Sequence, residues 1–275
     1  MEPVKSFDDG EAIRDRVENM ANTRKHSEND AVTLEDGMYG PRAVLNAGWS
    51  DQLIGYLSDN EVVELELNQA KGWEGRDLSF LAKLPGLKSF EIFDFNISDI
   101  QPIHHLHSLR RLGVTTYCST RIDFIAFPEL ESCGLEWRSE AASLFECVTL
   151  KELFVNRYSG KDADPFGKLV NLESLAILNA PVENLHGLST LTKLRSLRLA
   201  NLKRLASLAG IEVLVDLEEL EIHTCRAVGS IKEIGSLLRL KKLNLNNDGE
   251  IESLKPNTVQ RPFQKIAPPA MMVLS

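Results

Sequence analysis

Three histidines, His104, His105 and His107, fall within four residues in the segment PIHHLHSL. Imidazoles this close can bind a transition metal. No Cys or carboxylate lies beside them at ligand spacing, and adjacent side chains in a turn diverge. Exposed histidines between two structural units are the plainer expectation. Cys118, a little downstream, invites a second idea, a thiol nucleophile. Such a thiol needs a depressed pKa and an oriented base, and sequence shows neither. The chain contains no G-x-S-x-G, H-E-x-x-H, P-loop or G-x-G-x-x-G pattern, so the common hydrolase, metalloprotease and nucleotide sites have no candidate residues. No catalytic residue, metal site or cofactor is assigned, and the chain is expected not to be an enzyme.

What the residues do specify is a scaffold. Leu169, Leu172, Leu175 and Ile177 recur as Leu191, Leu194, Leu197 and Leu199, then as Leu214, Leu217, Leu220 and Ile222, then as Leu237, Leu240, Leu243 and Leu245. The steps are 22, 23 and 23 residues. Earlier copies run back through Cys147–Val155, Phe127–Leu135, Leu106–Val114 and Leu84–Ile92 to a degenerate first copy at Val62, Leu65 and Leu67. The register holds for nine copies from about residue 59 to 254. Its closing L-x-L has period two, which suits a short strand. A second apolar pair three residues apart, such as Leu185 and Leu188, suits a 3-10 turn. Cys133, Cys147 and Cys225 sit at repeat positions and read as small core residues.

This pattern resembles the leucine-rich-repeat family, in particular its short internalin-like class, over roughly 70% of the chain. The resemblance implies an α/β solenoid: a right-handed coil with a concave parallel sheet and short 3-10 or helical segments on the convex side. One departure stands out. The family places Asn three residues after the second strand leucine. Here those positions hold residues such as Ala70, Phe95, Tyr117, Arg138, Tyr158 and Cys225. No Asn ladder is expected, and other groups must satisfy the turns.

Residues 1–58 are read as an N-terminal helix, loop and cap, 59–254 as the repeats, and 255–275 as a C-terminal cap or extended tail. Within the cap, Ser50 is placed to cap a short helix carrying Leu53, Ile54 and Leu57. Trp49 is read as a plug, residues 9–23 as a helix and 24–36 as a polar loop.

In such a coil the residues flanking each L-x-L face outward. They include eight acidic and four basic residues. Large apolar groups stand among them. The expected partner-binding set is Glu66, Glu91, Phe93, Glu136, Trp137, Phe154, Arg157, Leu178, Arg198, Glu221 and His223. Exposed rings beside charges have the composition of a protein-binding hot spot.

Net charge is −9, which argues against nucleic acid as a partner and suits a basic protein. The 43% hydrophobic content lacks any run near the roughly 20 residues of a membrane span, so no membrane partner is expected. The start has no secretory pattern, and four cysteines without CxxC spacing read as free thiols. The resulting expectation is a cytoplasmic protein-binding module, by analogy an inhibitor or immunity protein against a basic toxin. The alternative is a secreted adhesion or host-interaction repeat protein.

Overall fold

The computed structural model describes residues 31–246. Its centre is one sheet of eleven strands whose spatial order follows chain order. β1 (Val32–Asp36) and β2 (Pro41–Leu45) form an antiparallel hairpin, and every later pairing is parallel. α1 (Leu53–Asp59) follows. The nine repeat strands are β3 (Glu64–Asn68), β4 (Ser89–Phe93), β5 (Arg111–Thr115), β6 (Ser132–Glu136), β7 (Glu152–Asn156), β8 (Ser174–Leu178), β9 (Ser196–Ala200), β10 (Glu219–His223) and β11 (Lys242–Asn246). Parallel neighbours in chain order require the chain to circle back once per strand, which makes a coil.

The leucine pattern sets the rungs. Leu175 is in register with Leu197, and Leu197 with Leu220. All three are buried. Between strands the second apolar pair closes 3-10 turns: Leu188 N–H donates to the Leu185 carbonyl at 2.9 Å, and Ile103 N–H to the Ile100 carbonyl at 3.0 Å. A unit this short cannot enclose its own leucines, so each rung is buried by its neighbours.

The strand exits hold a conformation that sequence did not show. Arg157, Asn179, Asn201 and Thr224 follow β7 to β10 and all have positive φ, between 53° and 60°. Each N–H donates to a carbonyl of the next rung, as Asn179 does to Ala200 at 2.9 Å. An asparagine ladder runs along this edge, contrary to expectation. The Asn201 amide donates to Asn179 at 2.5 Å, Asn179 to Asn156 at 2.7 Å, and Asn156 to Glu136 at 2.7 Å. It sits one or two residues earlier than the family position, because the left-handed residue turns the chain there.

The N-terminal cap is only partly as expected. Residues 32–36, read as loop, form β1, because Val32 joins the core and the strand covers the edge of β2. The Ser50 carbonyl accepts from Leu53 N–H at 2.9 Å, and its hydroxyl accepts from Gln52 N–H at 3.4 Å, so Ser50 sits one turn before α1. Trp49 plugs the cap as expected. It stacks on Phe80 with centroids 3.9 Å apart. The proposed helix at 9–23 and the tail at 255–275 lie outside the described residues.

Two stability predictions follow from this packing. Leu197→Ala and Leu220→Ala should each cost about 2–5 kcal/mol through cavity formation, read as a lower chemical-denaturation midpoint. Thr224 is β-branched in a left-handed conformation, which costs roughly 1–2 kcal/mol. Thr224→Asn should recover about 1 kcal/mol and raise the midpoint.

Candidate protein-binding surface

The eight acidic positions expected on the concave side divide into two groups. Glu64, Glu66, Asp94 and Glu136 are buried, and each serves its own chain. The β1–β2 turn folds onto Glu64, which accepts from the Tyr39 N–H. Gly37 permits this approach: a Cβ there would lie 2.5–2.6 Å from the Glu64 carboxylate. Glu66 accepts from Arg42, Lys71 and Asn68. Asp94 accepts from the indole N–H of Trp73 at 3.1 Å and from Asn96 N–H at 2.7 Å. Glu136 accepts from Asn156 and lies 3.2 Å from Arg157 Nε. Glu66 and Glu136 are therefore corrections to the expected solvent-facing set. Buried carboxylates need internal donors, and they have them here.

Of the other carboxylates, Glu91 and Glu221 are half-buried, Glu152 and Glu219 are exposed, and most are paired. Arg111 Nε donates to Glu91 at 2.7 Å. Arg198 and Lys242 both lie 3.1 Å from Glu221, and His223 lies 3.7 Å from it. The concave face is thus a row of ion pairs, and its acidic excess is largely internal.

The rings also divide. Trp137 is half-buried and belongs to an inner cluster with Tyr158 at 5.0 Å and Phe145 at 5.4 Å. Its indole N–H donates to Ser159 at 3.0 Å. β6 ends at Glu136, so Trp137 lies past the strand and turns toward the core. It is not the free anchor its position suggested.

Phe93 instead starts an outer row. Its ring meets Phe95 edge-on at 4.9 Å, Phe95 stacks on Tyr117 at 4.4 Å, and the Arg157 guanidinium sits 5.9 Å from the Tyr117 ring. Tyr117 is 61% exposed. Phe154 is 41% exposed and stands in a shallow trough of about 310 Å³ beside Gly134, Ala176, Ser132 and Ser174. Leu178 is half-buried between Asn156 and Ala200, apart from both ring groups. Phe95 and Tyr117 were absent from the expected site. Their signal was two rings at the same offset in consecutive repeats, which stacking rungs bring together.

The histidines bridge turns. His104 Nδ1 bonds to the Gln101 carbonyl at 2.8 Å, and its Nε2 accepts from Asp123 N–H at 2.9 Å. That uses both ring nitrogens and leaves no lone pair for a metal. His107 bonds to the Ala126 carbonyl at 3.1 Å. Among the described residues, no group of three or more His, Cys, Asp or Glu could hold a metal ion, and no helix is long and apolar enough to cross a membrane.

A stack of units of 20 to 25 residues with a sequentially ordered parallel sheet and 3-10 turns on its other side decides the architecture. It is a leucine-rich-repeat solenoid. No protein-family model matches the sequence, and no curated protein matches it. Similar solved structures include an internalin C2 from Listeria monocytogenes, at 20% identity over 74% of this chain and 80% of that one, TM-score 0.47. A second Listeria monocytogenes internalin is 21% identical over 75% of this chain and 74% of that one, TM-score 0.49. A Leptospira interrogans leucine-rich-repeat protein is 14% identical over 75% and 65%, TM-score 0.47.

Burial by itself would push the Glu66 carboxyl up. Hydrogen bonds from Lys71, Asn68 and Arg42 outweigh it and hold the group below its ordinary value. A folded-state pKa below the unfolded one contributes stability above about pH 4.3, and that contribution is lost as pH falls through the folded value. The denaturation midpoint should therefore drop on acidification below about pH 4.3. Glu66→Gln should lower the midpoint at neutral pH and flatten the acid limb.

Proposed function

We propose that this chain is a non-enzymatic protein-binding module that grips a partner with the concave face and the aromatic row at its edge. The observation that carries the reading is the row Phe93–Phe95–Tyr117, joined by one edge-on and one stacked contact, half-buried at the two phenylalanines, exposed at Tyr117 and flanked by Arg157. Rings held rigid before binding lose little entropy on contact, and aromatic and Arg anchors dominate protein interfaces. Phe154 supplies a second anchor in the trough. The pairs Arg111–Glu91 and Arg198–Glu221 set orientation more than affinity.

The finer reading, an inhibitor or immunity protein against a basic toxin, draws on the whole-chain charge of −9. The concave carboxylates are mostly buried or paired, so the anchor is assigned to the rings and charge is left to steering. A reducing, cytoplasmic setting goes with this reading, since Cys118, Cys133 and Cys147 form no disulfide.

The test is affinity capture from the native source with the full chain and with the double variant Tyr117→Ala/Phe154→Ala. Both side chains are exposed, so the denaturation midpoint should stay within about 0.5 kcal/mol of the parent. The expected result is a partner retained by the parent and weakened at least tenfold in the variant, as two anchors of over 1 kcal/mol each imply. The same proteins held equally by a folded variant would remove the reading.

A further inference from the structure

Arg138 is 9% exposed, and no carboxylate lies within ion-pair distance of it among the described residues. Its Nη1 donates to the Cys118 carbonyl at 2.7 Å and to the Cys118 sulfur at 3.2 Å. Its Nη2 donates to the Thr116 carbonyl at 3.1 Å and to the Thr116 hydroxyl at 2.9 Å. Its Nε has no partner. A buried guanidinium is always charged and is costly without a counter-ion. Every acceptor it bonds to is neutral, and only one, the Cys118 thiol, can become an anion; the exposed Glu140 carboxylate feels its charge without bonding to it. The Thr116 hydroxyl lies 3.3 Å from the same sulfur. Two side chains from adjacent rungs, Arg138 and Thr116, thus converge on one sulfur.

We propose that Cys118 is a site of covalent thiol modification, at which Arg138 provides the counter-charge for a thiolate that attacks low-molecular-weight disulfides. The thiol proton leaves to solvent. The Cys118 sulfur then bonds to one sulfur of the reagent, the reagent's S–S bond breaks, and its other half departs as a thiolate with the electron pair. Cys118 is oxidised, the departing half is reduced, and no further oxidant is needed.

The other three cysteines are internal controls. Cys133, Cys147 and Cys225 are buried, whereas Cys118 is partly exposed, and burial pushes all three buried thiols up. At Cys118 burial acts in the same direction, but bonds from Thr116, the Thr120 backbone and Arg138 outweigh it and bring the thiol below its ordinary value. Cys118 directly follows Tyr117, so an adduct would stand at the exposed end of the ring row.

The experiment treats the full, reduced chain with oxidised glutathione, locates the adduct by peptide mass spectrometry, and follows the rate across pH with an aromatic disulfide whose released thiolate absorbs visible light. The expected result is one fast thiol, mapped to Cys118, with a rate midpoint below the roughly 8.5 of free cysteine. Arg138→Gln should raise that midpoint and slow the reaction at neutral pH roughly three- to tenfold. Should Arg138→Gln fail to fold, Thr116→Val decides, with a smaller change in the same direction. Adducts spread over the buried cysteines, a midpoint at the free-cysteine value, or unchanged rates in the folded variants would overturn the proposal.

Discussion

The structure depends on rung-to-rung stacking. A strand of five residues with two inward apolar side chains has no stability alone. Placed between two copies of itself, it gains two sets of ladder hydrogen bonds and a leucine layer above and below. Leu197 is held this way by Leu175 and Leu220. Each loop must therefore return the chain to the same place about one strand spacing further on. The repeated left-handed residues at Arg157, Asn179, Asn201 and Thr224 are one consequence, since the chain turns off the sheet at the same point in each rung. The 3-10 turns are another, because they fit three-residue apolar spacing into a narrow convex side.

The same constraint explains where the charges go. Any side chain on a strand faces a homologous position 4.7–4.9 Å away on each neighbour. Like charges there repel, so carboxylates recur beside basic groups, and where Glu66 meets Glu91 across β3 and β4, Arg42 lies against both. Just before the strands, Arg110, Glu131 and Lys151 alternate in sign on successive rungs, with contacts of 2.7 and 2.9 Å. Being exposed, such pairs contribute little each, but a slip by one rung would turn attraction into repulsion. On the concave face, pairing leaves the rings as the unsatisfied surface, and that shifts the weight of recognition from charge to aromatic contact.

The two ring groups show how far sequence could be read. Trp137 and Phe93 occupy outward offsets in the repeat, yet Trp137 packs inward on Phe145 and Tyr158 while Phe93 opens the outer row that ends at the exposed Tyr117. The difference lies in the neighbours. Phe145 comes from a convex turn and fills the space beneath Trp137. Beside Phe93 lie Phe95 and, one rung on, Tyr117. Likewise Glu66 and Glu91 have equivalent offsets on adjacent strands, but only Glu66 is buried, under Arg42 from the cap hairpin and Lys71 from the following turn.

By itself, the sequence determined the coil, the strand positions, the buried leucines and the absence of the common catalytic motifs, because period and spacing are local properties that a rung repeats. Only the tertiary structure decided which outward residues meet solvent, where the asparagine ladder runs, and that a buried arginine lies against Cys118. Those outcomes depend on contacts between residues some twenty positions apart, and the path of each intervening loop sets them.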